Sequence, residues 1–153
     1  MKLAEALQRR ADLREKIDTV GDRMKANVLV QEGTEADFDV KQLAEEYQGL
    51  MEEWVALVGR IGRTNHTAKD EETGKTLADL LVEREAAKME KAAYDGIVAV
   101  YSEKSWRARG AELKIISTFK AKDAQKMSDD AAKRFRELDN KIQMLNWCTD
   151  LTE

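Results

Sequence analysis

The sequence contains no proline, although ordinary usage of about 5% would place roughly seven in a chain of this length. Proline breaks helices and fixes tight turns, so its absence leaves little to interrupt long helical runs. Glycine is also sparse, with eight residues, and aromatics make up only 6%. A sandwich or barrel needs frequent turns and a wide core, and this composition offers neither. One cysteine, Cys148, cannot form an internal disulfide and points to a reducing compartment. One histidine, His66, excludes a His-x-x-x-His pair or a histidine-rich zinc cluster within one chain. The longest apolar run, Ile97 to Tyr101, falls far short of the ~20 residues that span a bilayer. The opening residues are charged throughout (Lys2, Glu5, Arg9, Arg10, Asp12, Arg14), which leaves no apolar core for an export signal. The expected location is the cytoplasm, with no membrane partner.

What is abundant is charge, 37% of residues, threaded by apolar positions at three- and four-residue steps. The first such seam, Leu3, Ala6, Leu13, Ile17, Val20 and Met24, predicts a helix from about Leu3 to Val28, broken only by Arg10. Gly33 and its polar neighbours mark a connector, and Asp39 with Gln42 predicts the next cap. A second seam runs through Leu43, Tyr47, Leu50, Trp54, Leu57 and Ile61, with Trp54 expected to be buried. Gly59 and Gly62 predict that this helix stops within Gly62 to Thr64. Thr76 with Asp79 predicts a cap for a third helix, Leu77 to about Ser105, whose apolar stripe is interrupted by Arg84 and Lys91. Charges on such a stripe need polar partners, because an unpaired buried charge is costly. The β-branched run at 115–119 is the one segment that reads as extended, and a fourth helix begins near Asp123. The expectation is an all-α fold over residues 1–153, a single helical domain of four long helices. They form antiparallel hairpins or a bundle with coiled-coil-like seams, with room for one short extended segment near 115–119.

Charge is segregated. Leu29 to Glu53 holds eight acids and one base, a net −7, whereas Lys104 to Arg136 holds ten bases and four acids, a net +6. The two stretches are expected to face each other, in one chain or between copies; the alternative is a basic face, including Arg107 and Arg109, for an anionic ligand or nucleic acid. Thr73-Gly-Lys-Thr76 imitates the end of a phosphate loop, but Lys69 stands where its first glycine belongs and no strand precedes it. A turn at Gly74 and a cap at Thr76 account for these residues. Cys148, beside Trp147, reads as a packed thiol, and His66 as a solvated or backbone-bonded ring.

Several blocks taken together resemble a known group. They are the opening Met1-Lys-Leu-Ala-Glu-Ala-Leu, Arg10-Ala-Asp-Leu, Asn27 to Gly33 (NVLVQEG), Ile61-Gly-Arg-Thr-Asn, Thr76-Leu-Ala-Asp, Arg136-Glu-Leu-Asp and Ile142-Gln-Met-Leu-Asn-Trp. In order and spacing over almost the whole chain they resemble a small bacterial family of uncharacterised helical proteins, some labelled septicolysin. Where that family usually has Arg-Ser-Glu-Ile-Lys, this chain has Arg109-Gly-Ala-Glu-Leu-Lys. The label implies a pore-forming cytolysin, against which stand the charged opening and the lack of a long charge-free amphipathic stretch. The resemblance adds no catalytic residue. It singles out Arg63, Thr64, Asn65, Arg84, Glu112, Lys114, Asp139, Gln143 and Asn146, which are expected to cap helices and pair across them or to form a ligand or partner site. No cofactor and no metal are expected. The functional expectation is an uncharacterised, non-enzymatic homo-oligomeric assembly, scaffold or binding protein.

Overall fold

The computed structural model describes residues 1–102 and 116–153. Four α-helices account for most of them: α1 (Leu3–Asn27), α2 (Val40–Thr67), α3 (Leu77–Ser102) and α4 (Ala121–Cys148). Among the described residues there is no strand, only two isolated bridges, Lys2 with Asp150 and Lys69 with Thr76. The all-α expectation holds, and none of these helices is long and apolar enough to cross a membrane. The chain divides into two compact units, Met1–Ala68 with Leu145–Glu153, and Lys69–Met144.

The first unit is built on the α1–α2 hairpin. Leu3, Ala6, Leu13, Ile17 and Val20 of α1 are buried, as are Leu43, Leu57, Ile61 and Thr64 of α2, so each helix hides part of the stripe its spacing predicts, while Met24, Tyr47 and Leu50 stay half-buried. The backbone N–H of Lys2 donates to Glu5 Oε2 at 2.8 Å, and Asp39 caps α2 by accepting from Lys41 N at 2.9 Å. Gly33, at φ +88°, turns the connector, where Thr34 N donates to Gln31 O at 3.0 Å. Two expectations for α2 fail. The helix does not stop at Gly62 but continues to Thr67, because the stripe that holds Ile61 between the two glycines stays buried at Thr64 beyond them. Packing therefore outweighs the roughly 1 kcal/mol per glycine that propensity alone would charge. Trp54 is half-buried, because its indole sits at the margin of a stripe whose centre is Leu57 and Ile61.

The final residues complete this unit. Leu3 N donates to Thr149 O and Leu151 N to Met1 O, each at 2.9 Å, so residues 149–151 run beside the start of α1 with Leu151 buried. Lys2 Nζ meets Asp150 Oδ1 at 3.0 Å.

The second unit is the α3–α4 hairpin. Arg84 pairs with Asp139, Glu90 with Arg134 and Asp95 with Ser128, so partners advance along α3 as they retreat along α4, which makes the two helices antiparallel. A turn precedes α3: Gly74, at φ +70°, donates its N–H to Asp70 O at 2.8 Å. Thr76 and Asp79 then form the predicted capping box, Asp79 N donating to Thr76 Oγ1 at 3.1 Å and Thr76 N to Asp79 Oδ2 at 3.0 Å. The extended reading of 115–119 is not realised over residues 116–119, which form an exposed connector because no described strand lies there to pair with their backbone. Ile115 lies outside the described residues.

Candidate functional site

The residues singled out by sequence fall into separate places. Arg63, Thr64, Asn65 and Asn146 belong to the first unit, and Arg84, Asp139 and Gln143 to the second. Arg107, Arg109, Glu112 and Lys114 lie outside the described residues.

In the first unit α2 presents Arg60, Arg63 and Thr64 one turn apart, and all three hold the end of the chain. Arg60 Nε donates to Thr152 O at 2.9 Å and Arg63 Nε to Glu153 O at 3.2 Å. The fully buried Thr64 hydroxyl donates to Arg60 O at 2.8 Å, lies 2.9 Å from Thr152 Oγ1 and accepts from Thr152 N at 3.1 Å. Asn65 is half-buried and Asn146 is buried at 7% exposure. Arg63 and Thr64 are thus brought together, each with one side-chain atom bonded to the tail. Arg60 and Thr152 were not anticipated, and nothing local in sequence joins residues so far apart.

In the second unit the structure supplies the partners that Arg84 and Lys91 require. Arg84 Nη1 meets Asp139 Oδ1 at 2.7 Å, both side chains about one third exposed. Lys91 pairs with Asp95, which also accepts from the Ser128 hydroxyl. These two donors, Lys91 first, hold the Asp95 carboxyl below its ordinary value. The i,i+4 spacing of Lys91 and Asp95 was the available signal for that pair.

A second cluster surrounds the turn before α3. Asp70, 4% exposed, accepts from the Thr73 hydroxyl at 2.6 Å and from Thr73 N at 3.2 Å, and Lys141 Nζ stands 3.5 Å away. The Thr73 hydroxyl lowers the Asp70 carboxyl most, burial opposes this, and the Lys141 charge adds to it. Lys141 also binds Glu72, and that hydrogen bond raises its ammonium above the usual lysine value, with burial opposing and Asp70 assisting. Lys75 pairs with Glu83 nearby. Asp70 and Lys141 were missed by sequence reasoning; the Asp-x-x-Thr spacing of Asp70 and Thr73 was the local clue.

Chemically, these groups are tuned away from acid–base work. A general acid or base operates best near neutrality, yet Asp70 and Asp95 are pushed down and Lys141 up. No buried side-chain polar atom among the described residues lacks a hydrogen-bond partner. No group of three or more His, Cys, Asp or Glu residues among them is placed to hold a metal. His66 donates from Nδ1 to Gly62 O at 2.8 Å, its ordinary helical neighbour. Cys148 is exposed, contrary to the packed thiol expected, because Trp147 beside it also faces outward at 64% exposure.

An open pocket of about 540 Å³ lies near the end of α3, lined by Tyr94, Ile97, Val100, Ile116, Phe119 and Met127. The Tyr101 hydroxyl at its margin donates to Phe119 O and lies 2.8 Å from Ser117 Oγ. Its lining is mostly aliphatic and aromatic, with the hydroxyls of Ser117 and Thr118 added and no charged side chain among the described residues that line it.

Comparison with known proteins adds a fold and a family without an activity. The chain is similar to a functionally unknown conserved protein from Corynebacterium diphtheriae, known from its crystal structure, with 33% identity, 99% of each chain covered and a TM-score of 0.89. No curated protein matches the chain. A family of unknown function, DUF6847, matches residues 10–151, which takes in most of α1 and all of α2, α3 and α4. With nearly its whole length accounted for by that match, the chain belongs to the family DUF6847.

Proposed function

We propose that this protein is a non-enzymatic, homo-oligomeric helical assembly or binding protein. The observation that carries the reading is the apolar surface left uncovered at two places. In the first unit Val28, Leu29, Val30 and Phe38 are 61%, 86%, 51% and 48% exposed. In the second, Val100, Ile116, Phe119 and Met127 are 54%, 78%, 41% and 39% exposed. Single exposed apolar residues are common, but runs of them concentrated at one place mark contact surfaces. The tuning of Asp70, Asp95 and Lys141 away from neutrality supports the non-enzymatic half of the reading. Light scattering during size-exclusion chromatography at micromolar concentration tests it: the expected mass is a multiple of 17.4 kDa. A mass of one chain at every concentration overturns it.

A second reading rests on Lys120, Lys122, Lys126 and Arg136, none of which has an ion-pair partner among the described residues. These side chains are available to an anionic ligand or nucleic acid. Filter binding to single-stranded and duplex DNA and RNA separates the two. Retention at low salt that fades steeply with added salt favours the basic-surface reading, and no retention removes it.

A further inference from the structure

The apolar pocket near the end of α3 has a counterpart elsewhere on the same chain. Its lining by Ile97, Val100, Ile116, Phe119 and Met127 is mostly apolar, with Ser117 and Thr118 beside them, and its size lies within the roughly 300 to 1,000 Å³ of ordinary binding pockets. Lys120, Lys122 and Lys126 lie between its lining residues Phe119 and Met127 in sequence, against one acid, Asp123. The α1–α2 connector is the converse. It carries Val28, Leu29 and Val30 outward, and from Leu29 to Asp39 it holds four acids and no base. Glu32, Glu35 and Asp37 have no ion-pair partner among the described residues.

The connector is also a formed surface. The Gln31 to Thr34 turn closes it, Phe38 N donates to Asn27 Oδ1 at 3.1 Å, and the Arg23 guanidinium sits 5.6 Å from the centre of the Phe38 ring. Holding apolar side chains outward on an ordered loop reduces the ordering cost of docking them.

We infer that the connector of one copy, led by Leu29, docks in the apolar pocket beside α3 of a second copy, with Glu32, Glu35 and Asp37 meeting Lys120, Lys122 and Lys126. This deepens the assembly reading proposed above and rests on it. Shape and charge both select the occupant: the pocket takes aliphatic side chains, and its basic flank rejects a basic peptide and favours the acid-flanked loop. The same acids disfavour insertion of the loop into an anionic bilayer. Each chain carries both halves, so two copies close a ring through two such contacts or continue head to tail.

The experiment is sedimentation of the full chain and its variants at micromolar concentration, with circular dichroism melts as the folding control. Leu29→Asp is expected to weaken self-association at least tenfold without moving the melting midpoint, since Leu29 is 86% exposed and contributes little to the isolated fold. Two reversals, Glu32→Lys with Glu35→Lys and Asp37→Lys, and Lys120→Glu with Lys122→Glu and Lys126→Glu, should each dissociate the wild-type assembly. Mixing the two variants, or combining both sets in one chain, should restore association. If the wild-type chain assembles and neither Leu29→Asp nor either reversal weakens it, the docking inference is overturned while the assembly reading survives. If both reversals weaken assembly but the combined chain does not recover, the pairing of these two surfaces is overturned. A wild-type chain that remains single overturns both readings.

Discussion

The two hairpins have helices of nearly equal length but are held by different means. In α1 and α2 the contact is an apolar stripe with Leu3, Leu13, Ile17, Val20, Leu43, Leu57 and Ile61 buried, and one ion pair, Arg9 with Glu53, lies across its exposed edge. In α3 and α4 the buried apolar residues include the small Ala87, Ala124 and Ala131, and polar rungs recur from Arg84–Asp139 through Glu90–Arg134 to Asp95–Ser128. A stripe of large aliphatic residues sets how strongly two helices adhere but is tolerant in where they stop sliding. Polar rungs contribute less adhesion and fix register, because a shift of one turn would strand every partner.

The largest expected effect tests the apolar half. Ile17→Ala removes a side chain only 4% exposed and should cost about 2 to 5 kcal/mol in urea melts, with little dependence on salt. A loss below about 1 kcal/mol would mean that the α1–α2 stripe is not what holds the first unit. Next comes the cap that starts α3: Thr76→Ala should cost about 1 kcal/mol, with Thr76→Ser recovering most of it.

The Arg84–Asp139 rung is about one third exposed, so screening limits it, and Asp139→Ala should cost only about 1 kcal/mol. Exchanging the charges, Arg84→Asp with Asp139→Arg, should regain part of that loss. Because the rung fixes register, Asp139→Ala should also speed amide exchange along α3 more than its small effect on the midpoint would suggest. The narrowest effect is in pH. Because the folded Asp70 carboxyl lies below its ordinary value of 3.8, its contribution is fully present above that value and is lost as pH falls below it. Wild-type stability should therefore fall more steeply than that of Asp70→Asn below about pH 3.8, and the two should run parallel above it. Parallel curves throughout would remove Asp70 as an acid-sensitive support.

Most of the helical architecture was legible because it is local. The three- and four-residue steps located all four helices, and Asp39 and the Thr76–Asp79 box located two of their starts. Arg84 and Lys91 on an apolar stripe demanded polar partners, and Asp139 and Asp95 provide them. What was not legible depends on residues distant in sequence. Gly62 failed to end α2 because Thr64 is packed and bonded to Thr152, 88 residues away. Cys148 and Trp147 carry a composition suited to burial, yet their face of the final helical turn meets solvent. The candidate-site residues split between the two units for the same reason: resemblance reports which side chains recur, and only tertiary geometry reports which of them meet. The cytolysin label is carried by neither the matching family nor the Corynebacterium diphtheriae protein.

The clamp of Lys141 on Asp70 and Glu72 has a consequence for the order of folding. In chain order the second unit is an insertion: the first unit is interrupted after Ala68 and resumes at Leu145. Joining Leu3 to Thr149 in an unfolded chain would close a loop of nearly the whole sequence, and the entropy cost of such closure rises with length. Lys141 fastens the exit of the insertion to its entry, a few residues from each crossing point. Once that hairpin has formed, the effective loop shrinks to little more than the first unit itself, so a chain of high nominal contact order can fold at a rate set by local steps. Releasing the clamp, as in Lys141→Ala, should accordingly slow refolding of the first unit, although no residue of that unit has been altered.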